Sequence, residues 1–368
     1  MSADPATLFH AFDRGVLSRR QLLYALGVAV AVTPASAFAQ GQCGGARKGT
    51  PACDPTPAKL PFEPTGWKTV LLDHFSCQAV DYPKEAAFYA ALMNWPIRSD
   101  DGKQATLDIG DWGGLVLRGG YQPPPPPPAP PAGAAPGPGG PGGGPRAPRN
   151  AAFDAFCFGI EPWDARKVEA ELKARGLTPV ADNRGDFQSF HVKDPDGFDL
   201  QISNGNRKNR RQSPAAGKTA APSPFASTSW KTVWLDHISF EVSNYKETVA
   251  FYTALLGWKP GEDEGSQNQC QIGDVGDVII RRGFAGRGAA ASATPSARRA
   301  AIGHISFGIA VFDPDAVKAE LEKRGLNARE DTGGRGDIHT ASYKSYHTTT
   351  PNGFDLQISA TTRERRGP

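Results

Sequence analysis

Residues 67–78, WKTVLLDHFSCQ, and 230–241, WKTVWLDHISFE, alternate apolar and polar positions with a period near two. Such alternation of β-branched and aromatic residues with polar ones predicts a strand. Each stretch leads into apolar residues at helical spacing, 84–92 and 244–252, with Glu85 and Glu247 near the start, where the helix dipole favours an anion. After the first helix the pattern predicts strands over 104–109 and 115–118, parted by a glycine-rich turn at 110–114. A second kind of unit begins at Ala151: strand 153–159, helix 164–175 capped by Asp164 and stopped by Gly176, strand 189–193, a turn over 194–197 and a closing strand 198–203.

These units are duplicated. Trp67 and Trp230, and likewise His74 and His237, stand 163 positions apart. The unit at 300–358 repeats the unit at 151–203, and GFDLQIS is identical in both. His304 follows its counterpart Ala155 by 149 positions and Gln357 follows Gln201 by 156, so seven residues have entered between, within 332–343. That insertion carries His339 beside the glycine-rich run 333–336, a loop composition suited to closing over a ligand.

Composition adds organisation. Residues 1–39 read as a twin-arginine export signal: Arg19 and Arg20, an apolar run over 22–32, then small residues at a cleavage site. The apolar run is too short to remain as a membrane span, so the mature chain is expected in the periplasm or outside the cell. Residues 40–64 form an extended leader whose Cys43 and Cys53 are spaced for a disulfide, left open here. Residues 121–150 are a proline- and glycine-rich linker that cannot pack a core. The expected layout is an N-terminal pair of modules at 65–205 (65–120 and 151–205), a linker at 206–229, a C-terminal pair at 230–360 (modules 230–283 and 300–360, linker 284–299) and a tail at 361–368. A net charge of +3 gives no case for nucleic acid, and the basic run 208–211 reads as solvated linker. Cys77, Cys157 and Cys270 read as buried strand residues. A small-molecule substrate is the expected partner, with a second copy of the chain as a further candidate.

Four βαβββ-like units, the LDH first strand, the FY-x-x-x-L-(G/N)-W helix end and the DPDG-F-x-L-x-I closing strand together resemble the vicinal oxygen chelate superfamily. Its members include glyoxalase I, extradiol dioxygenases and the metal-free bleomycin-resistance binders. The resemblance implies an α+β fold, in which four βαβββ modules pair into two open mixed-sheet barrels. It also implies a divalent metal (Fe, Mn, Zn or Ni) held by the first strand of each module and by a Glu in the closing strand. Carried onto this chain, the first-strand positions are His237 and His304 in the C-terminal half but His74 and Ala155 in the N-terminal half. The Glu position holds Gln357 and Gln201, a departure at the same place in both halves. Asp355, two residues before Gln357 and so on the same strand face, is a candidate anionic ligand or a group orienting Gln357. His339 and His347 are the candidate acid/base residues. The resemblance leaves two function classes open: a metal-dependent dioxygenase- or glyoxalase-like enzyme acting in the C-terminal barrel, and a metal-free binder.

Overall fold

A computed structural model describes residues 57–123, 149–211, 221–283, 299–334 and 336–364. The export pattern, Cys43, Cys53, Arg335 and most of the proline tract lie outside the described residues. The first module is β1 (Lys68–Ala79), α1 (Tyr82–Leu92), β2 (Ile97–Asp100), β3 (Gln104–Ile109) and β4 (Gly113–Arg118). The second is β5 (Ala151–Glu161), α2 (Ala165–Ala174), β6 (Val180–Ala181), β7 (Ser189–Lys193) and β8 (Asp199–Ser203). The third and fourth repeat them: β9 (Lys231–Val242), α3 (Tyr245–Leu256), β10 (Lys259–Asp263), β11 (Gln267–Ile272) and β12 (Gly276–Arg282), then β13 (Ala300–Ala310), α4 (Pro314–Glu322), β14 (Arg329–Asp331), β15 (Ser345–Thr349) and β16 (Asp355–Ser359).

Two modules share each sheet. The strand order is β2-β3-β4-β1-β5-β8-β7-β6 in one half and β10-β11-β12-β9-β13-β16-β15-β14 in the other. The two long first strands pair antiparallel at the centre, β1 with β5 and β9 with β13, while each closing strand runs parallel to its module's first strand. This is the α+β architecture of two open, mixed eight-stranded sheets.

Local chemistry sets the element ends. Asp81, Asp164, Asn244 and Asp313 each cap a helix by accepting a backbone N–H from the residue three positions on, each cap contributing roughly 1 kcal/mol. Pro83 occupies the first turn of α1, where its missing N–H costs nothing, and the helix therefore begins two residues earlier than its apolar periodicity suggests. Glycine is required at 159 and 308 by close approach: a Cβ there would lie 1.9 Å from the Gly205 carbonyl oxygen and 1.8 Å from that of Thr361.

The halves are joined about a pseudo-twofold. The Trp95 indole donates to Thr232 Oγ1 at 2.8 Å, and its repeat Trp258 donates to Thr69 Oγ1 at 3.0 Å. Helix α1 meets the last turn of the other half through Asn352, whose Nδ2 donates to Glu85 Oε2 at 2.9 Å. Helix α3 makes the reciprocal contact, Tyr252 donating to Asp194 and Thr248 to Asp196 at 3.1 and 3.0 Å. Tyr89 stacks on Trp95 and Tyr252 on Trp258, so the aromatic residues of the repeated helix end fill the core. Cys77, Cys157 and Cys270 are buried and unbridged.

Candidate metal centre

In the C-terminal half β9 and β13 carry the site. Along β9 the pairing with β13 passes from Leu235 opposite Phe307 to His237 opposite Ser306, which leaves Asp236 as an extra residue. Pairing with β12 skips the same place. This β-bulge turns Asp236 and His237 toward the same interior, where strict alternation would send them to opposite faces. A second bulge at Gly303 sets His304 opposite Ser239.

The two imidazoles meet. His237 Nε2 and His304 Nε2 lie 3.0 Å apart, with rings at 77°. Two nitrogens about 2.1 Å from one ion and at right angles to each other would stand about 3.0 Å apart. Gln357, fully buried on β16, donates through Nε2 to Ser345 Oγ at 2.7 Å, to Tyr343 Oη at 3.0 Å and to Asp331 Oδ2 at 3.3 Å. Its Oε1 is buried with no hydrogen-bond partner. Gln357 stands opposite Ser306, itself opposite His237, so the orphaned amide oxygen belongs to the same row across the sheet, and with the two converging imidazoles it is a donor set that fits a divalent cation.

Carboxylates surround this set. Asp236 Oδ2 accepts from Ser306 Oγ at 2.7 Å and from Tyr343 Oη at 2.8 Å, and it lies 3.5 Å from His237 Nδ1. Burial alone would raise the Asp236 carboxyl, but the His237 charge and these hydrogen bonds outweigh it and hold it well below the usual carboxylate range. Burial lowers His304 far below ordinary imidazole, and the neighbouring His237 and His347 add to that, so it stays neutral and able to ligate. His347 goes the other way. Burial opposes its charge, yet Asp331 and Asp355, at 3.3 and 3.1 Å, raise it.

The structure therefore brings His237 and His304 together and sets Gln357 across Ser306 from His237. His304, His347 and Asp355 also have ligand-type atoms within 4.8 Å of one another. The Asp355 carboxylate, however, is engaged by Arg329 at 2.6 Å and by His347 at 3.1 Å. His339 is not brought to the site. It stands half-exposed, 3.7 Å from Asp315 at the start of α4, because the inserted loop runs outward there. The same insertion delivers Tyr343 instead. Asp331, Tyr343 and Asp236 were missed by sequence reasoning, although Asp331 repeats Asp182 and Asp236 repeats Asp73.

The N-terminal half is filled differently. His74 bonds Asp73 at 2.7 Å and, with Cys157, forms a second buried group of ligand-type atoms. Arg210, however, donates to the Asp73 carboxylate at 3.3 Å and to its carbonyl at 2.9 Å, while the Arg211 backbone N–H donates to that carboxylate at 3.1 Å. The Arg211 side chain reaches Asp182 at 3.0 Å. The basic run at 208–211, expected to be solvated, thus folds back and places a guanidinium where an ion would otherwise balance the buried carboxylate.

The family model described as Glyoxalase/Bleomycin resistance protein/Dioxygenase superfamily matches residues 234–358. Residues 234–358 are thus a domain of the vicinal oxygen chelate superfamily. The family match lies in the C-terminal half, whose strand order the N-terminal half repeats. No curated protein matches the chain. Among solved structures, the 2,3-dioxygenase LapB from Pseudomonas sp. KL28 is similar at 14% identity and TM-score 0.51, over 79% of this chain and 92% of that one. The Mn(II)-bound glyoxalase from Novosphingobium aromaticivorans is similar at 15% identity and TM-score 0.51, over 82% and 86%. An extradiol ring-cleaving dioxygenase from B. fuscum is similar at 16% identity and TM-score 0.52, over 84% and 76%. At these identities the likeness is one of fold. Among the described residues no helix is long and apolar enough to cross a membrane.

Proposed function

We propose that the protein is an exported, metal-dependent enzyme of the vicinal oxygen chelate type. Its C-terminal barrel, within 230–360, acts on a small substrate bound through two oxygens, with dioxygenase-like or glyoxalase-like chemistry. The observation that carries this reading is the 3.0 Å approach of His237 Nε2 and His304 Nε2, with the orphaned Oε1 of Gln357 in the same row across the sheet. His237 and His304 would hold the ion and Gln357 would supply a neutral oxygen. When bound, the ion would supply Lewis acidity that draws two substrate oxygens together and stabilises negative charge on them. Asp236, bonded to Ser306 and Tyr343, orients His237 from behind. Gln357 is held by Ser345 and Tyr343, which fixes the direction of its oxygen. His347, set between Asp331 and Asp355, is a proton carrier at the edge of the cluster. The N-terminal barrel, within 65–205, serves as a packing partner. The twin-arginine pattern supports export to the periplasm or beyond, and a homodimer would be checked by sedimentation.

Protein loaded with Fe(II) or Mn(II) should consume oxygen with catechols, or else isomerise a thiol–aldehyde hemithioacetal. Neither activity under any of Fe(II), Mn(II), Zn(II) or Ni(II) would count against an enzyme. One observation favours the metal-free binder as second reading: the Gln357 amide already has partners on its nitrogen side, and no carboxylate stands at its position.

A further inference from the structure

The duplication gives the carboxylate behind His237 an internal control. Asp236 stands 163 positions after Asp73, and each is 2% exposed. Asp73 is met by a cation: the Arg210 guanidinium donates to its Oδ2 at 3.3 Å, and the Arg211 backbone N–H donates to the same oxygen at 3.1 Å. Asp236 is met by two hydroxyls, Ser306 Oγ at 2.7 Å and Tyr343 Oη at 2.8 Å. Both hydroxyls are changes within the repeat. Ser306 falls on Cys157, 149 positions earlier, and Tyr343, at the end of the inserted stretch, falls on Phe187, 156 positions earlier. The serine replaces a thiol, and the tyrosine keeps an aromatic ring while adding an oxygen. Gln357 Nε2 donates to that oxygen at 3.0 Å, which turns the tyrosine's single hydroxyl proton toward Asp236.

Neutral hydroxyls solvate a buried carboxylate but leave its charge unbalanced. Among the described residues no lysine or arginine pairs with Asp236, and its ion-pair neighbour is His237, whose Nδ1 lies 3.5 Å from Oδ2. That separation is long for a hydrogen bond and short for a charge. Across the imidazole ring, His237 Nε2 faces His304 Nε2 at 3.0 Å. The other carboxylates of the cluster are placed differently. Asp355 has Arg329 at 2.6 Å. Asp331 lacks the arginine of its counterpart, since Arg211 reaches Asp182 at 3.0 Å, but its side chain is 37% exposed, pairs with His347 and is screened by water. The Asp236 side chain is 3% exposed, so burial makes it the carboxylate that depends on a cation across His237.

We propose that Asp236 carries the negative charge of the C-terminal metal centre, acting on the ion through His237 and taking the part that a closing-strand carboxylate would have at position 357. In the N-terminal half Arg210 cancels the same charge. Asp236 is thus a positioning residue, and Ser306 and Tyr343 are the neutral donors that let it stay charged with no lysine or arginine of the described residues beside it. Gln357 then supplies an oxygen, and no carboxylate is needed in its place. This assignment rests on the metal-dependent function proposed above; the choice of Asp236 over Asp331 and Asp355 rests on the comparison of the two halves.

Zn(II) affinity of the chelator-treated full chain, read by competition with a chromogenic chelator beside the melting temperature of the metal-free protein, tests the assignment. Asp236→Asn keeps the shape and removes the charge; it should weaken Zn(II) at least tenfold, with the metal-free melting temperature within a few degrees of wild type. Asp73→Asn is the mirror case. It strands Arg210, so the melting temperature should fall clearly while the Zn(II) affinity stays within twofold of wild type. Tyr343→Phe, which restores the residue of the other half, should weaken Zn(II) several-fold and carries the test where Asp236→Asn does not fold. An Asp236→Asn affinity within twofold of wild type, an equal loss in Asp73→Asn or, where Asp236→Asn does not fold, an unchanged Tyr343→Phe affinity would overturn the assignment. Zn(II) bound by the wild type together with any of these results leaves the metal site standing and removes Asp236 from it. A wild type that takes up no Zn(II), Mn(II) or Fe(II) removes the metal site itself, and the role of Asp236 with it.

Discussion

Asp194 ties the last turn of the N-terminal sheet to α3 of the other half, and its titration should be visible in stability. Its carboxylate accepts from the backbone N–H groups of Asp196 and Phe198 at 2.9 and 2.8 Å and from Tyr252 Oη at 3.1 Å. Burial nevertheless dominates, with the Asp196 charge adding to it, and the carboxyl is pushed up from 3.8 to about 6. Because the folded state holds this proton more tightly than the unfolded chain, stability is greatest below pH 3.8 on this account and falls as pH rises through about 6. The difference corresponds to about 3 kcal/mol lost by pH 7.5. Asp194→Asn cannot ionise and keeps an oxygen for the two backbone donors. Denaturant unfolding of both proteins at intervals from pH 4 to 7.5 should show the variant gaining about 3 kcal/mol relative to wild type across that range, on top of a constant offset of about 1 kcal/mol for the altered Tyr252 bond. Parallel stability curves would refute the reasoning, as they would show that the Asp194 carboxyl titrates alike in both states.

Further outcomes follow from the same contacts. Arg210→Ala should lower stability by about 3 kcal/mol in thermal or urea unfolding, since it leaves the buried Asp73 carboxylate short of its guanidinium. Trp258→Phe keeps most of the stacking on Tyr252 but removes the bond to Thr69, and should cost about 1–2 kcal/mol, with Trp95→Phe matching it and the double variant additive. Gln357→Glu should raise the metal affinity of the C-terminal half at least tenfold in chelator competition while destabilising the metal-free protein, because a second carboxylate then faces Asp331; an unchanged affinity would remove residue 357 from the ligand set.

The fold was legible because the chain states it twice. Repetition of the same strand, helix end and closing turn at fixed offsets marks the modules even where each single signal is weak. Short edge strands such as β2, β6 and β10 were less visible, since two to five residues with charged or proline positions carry little alternation. At the site, His237 and His304 could be found because they occupy repeated strand positions. Asp236 could not be placed by periodicity, as the bulge that turns it inward changes the face of a residue without changing the pattern. His339 and Tyr343 lie in one insertion, and only the course of the loop decides that the tyrosine enters and the histidine stays outside. The Arg210 clamp escaped for a related reason: its partner Asp73 is 137 positions away, and local composition says nothing about such a contact.

The proposed metal site is shared by two strands of one half, β9 and β13, through His237 and His304. Metal content of the purified protein, compared with that of a His237→Ala, His304→Ala variant, decides whether it is there. The wild type should carry about one divalent ion per chain, lost in the variant, and its melting temperature should fall when the ion is chelated. A wild type that carries no ion and gains no stability from added Fe(II), Mn(II), Zn(II) or Ni(II), or a variant that keeps its ion, would contradict the site.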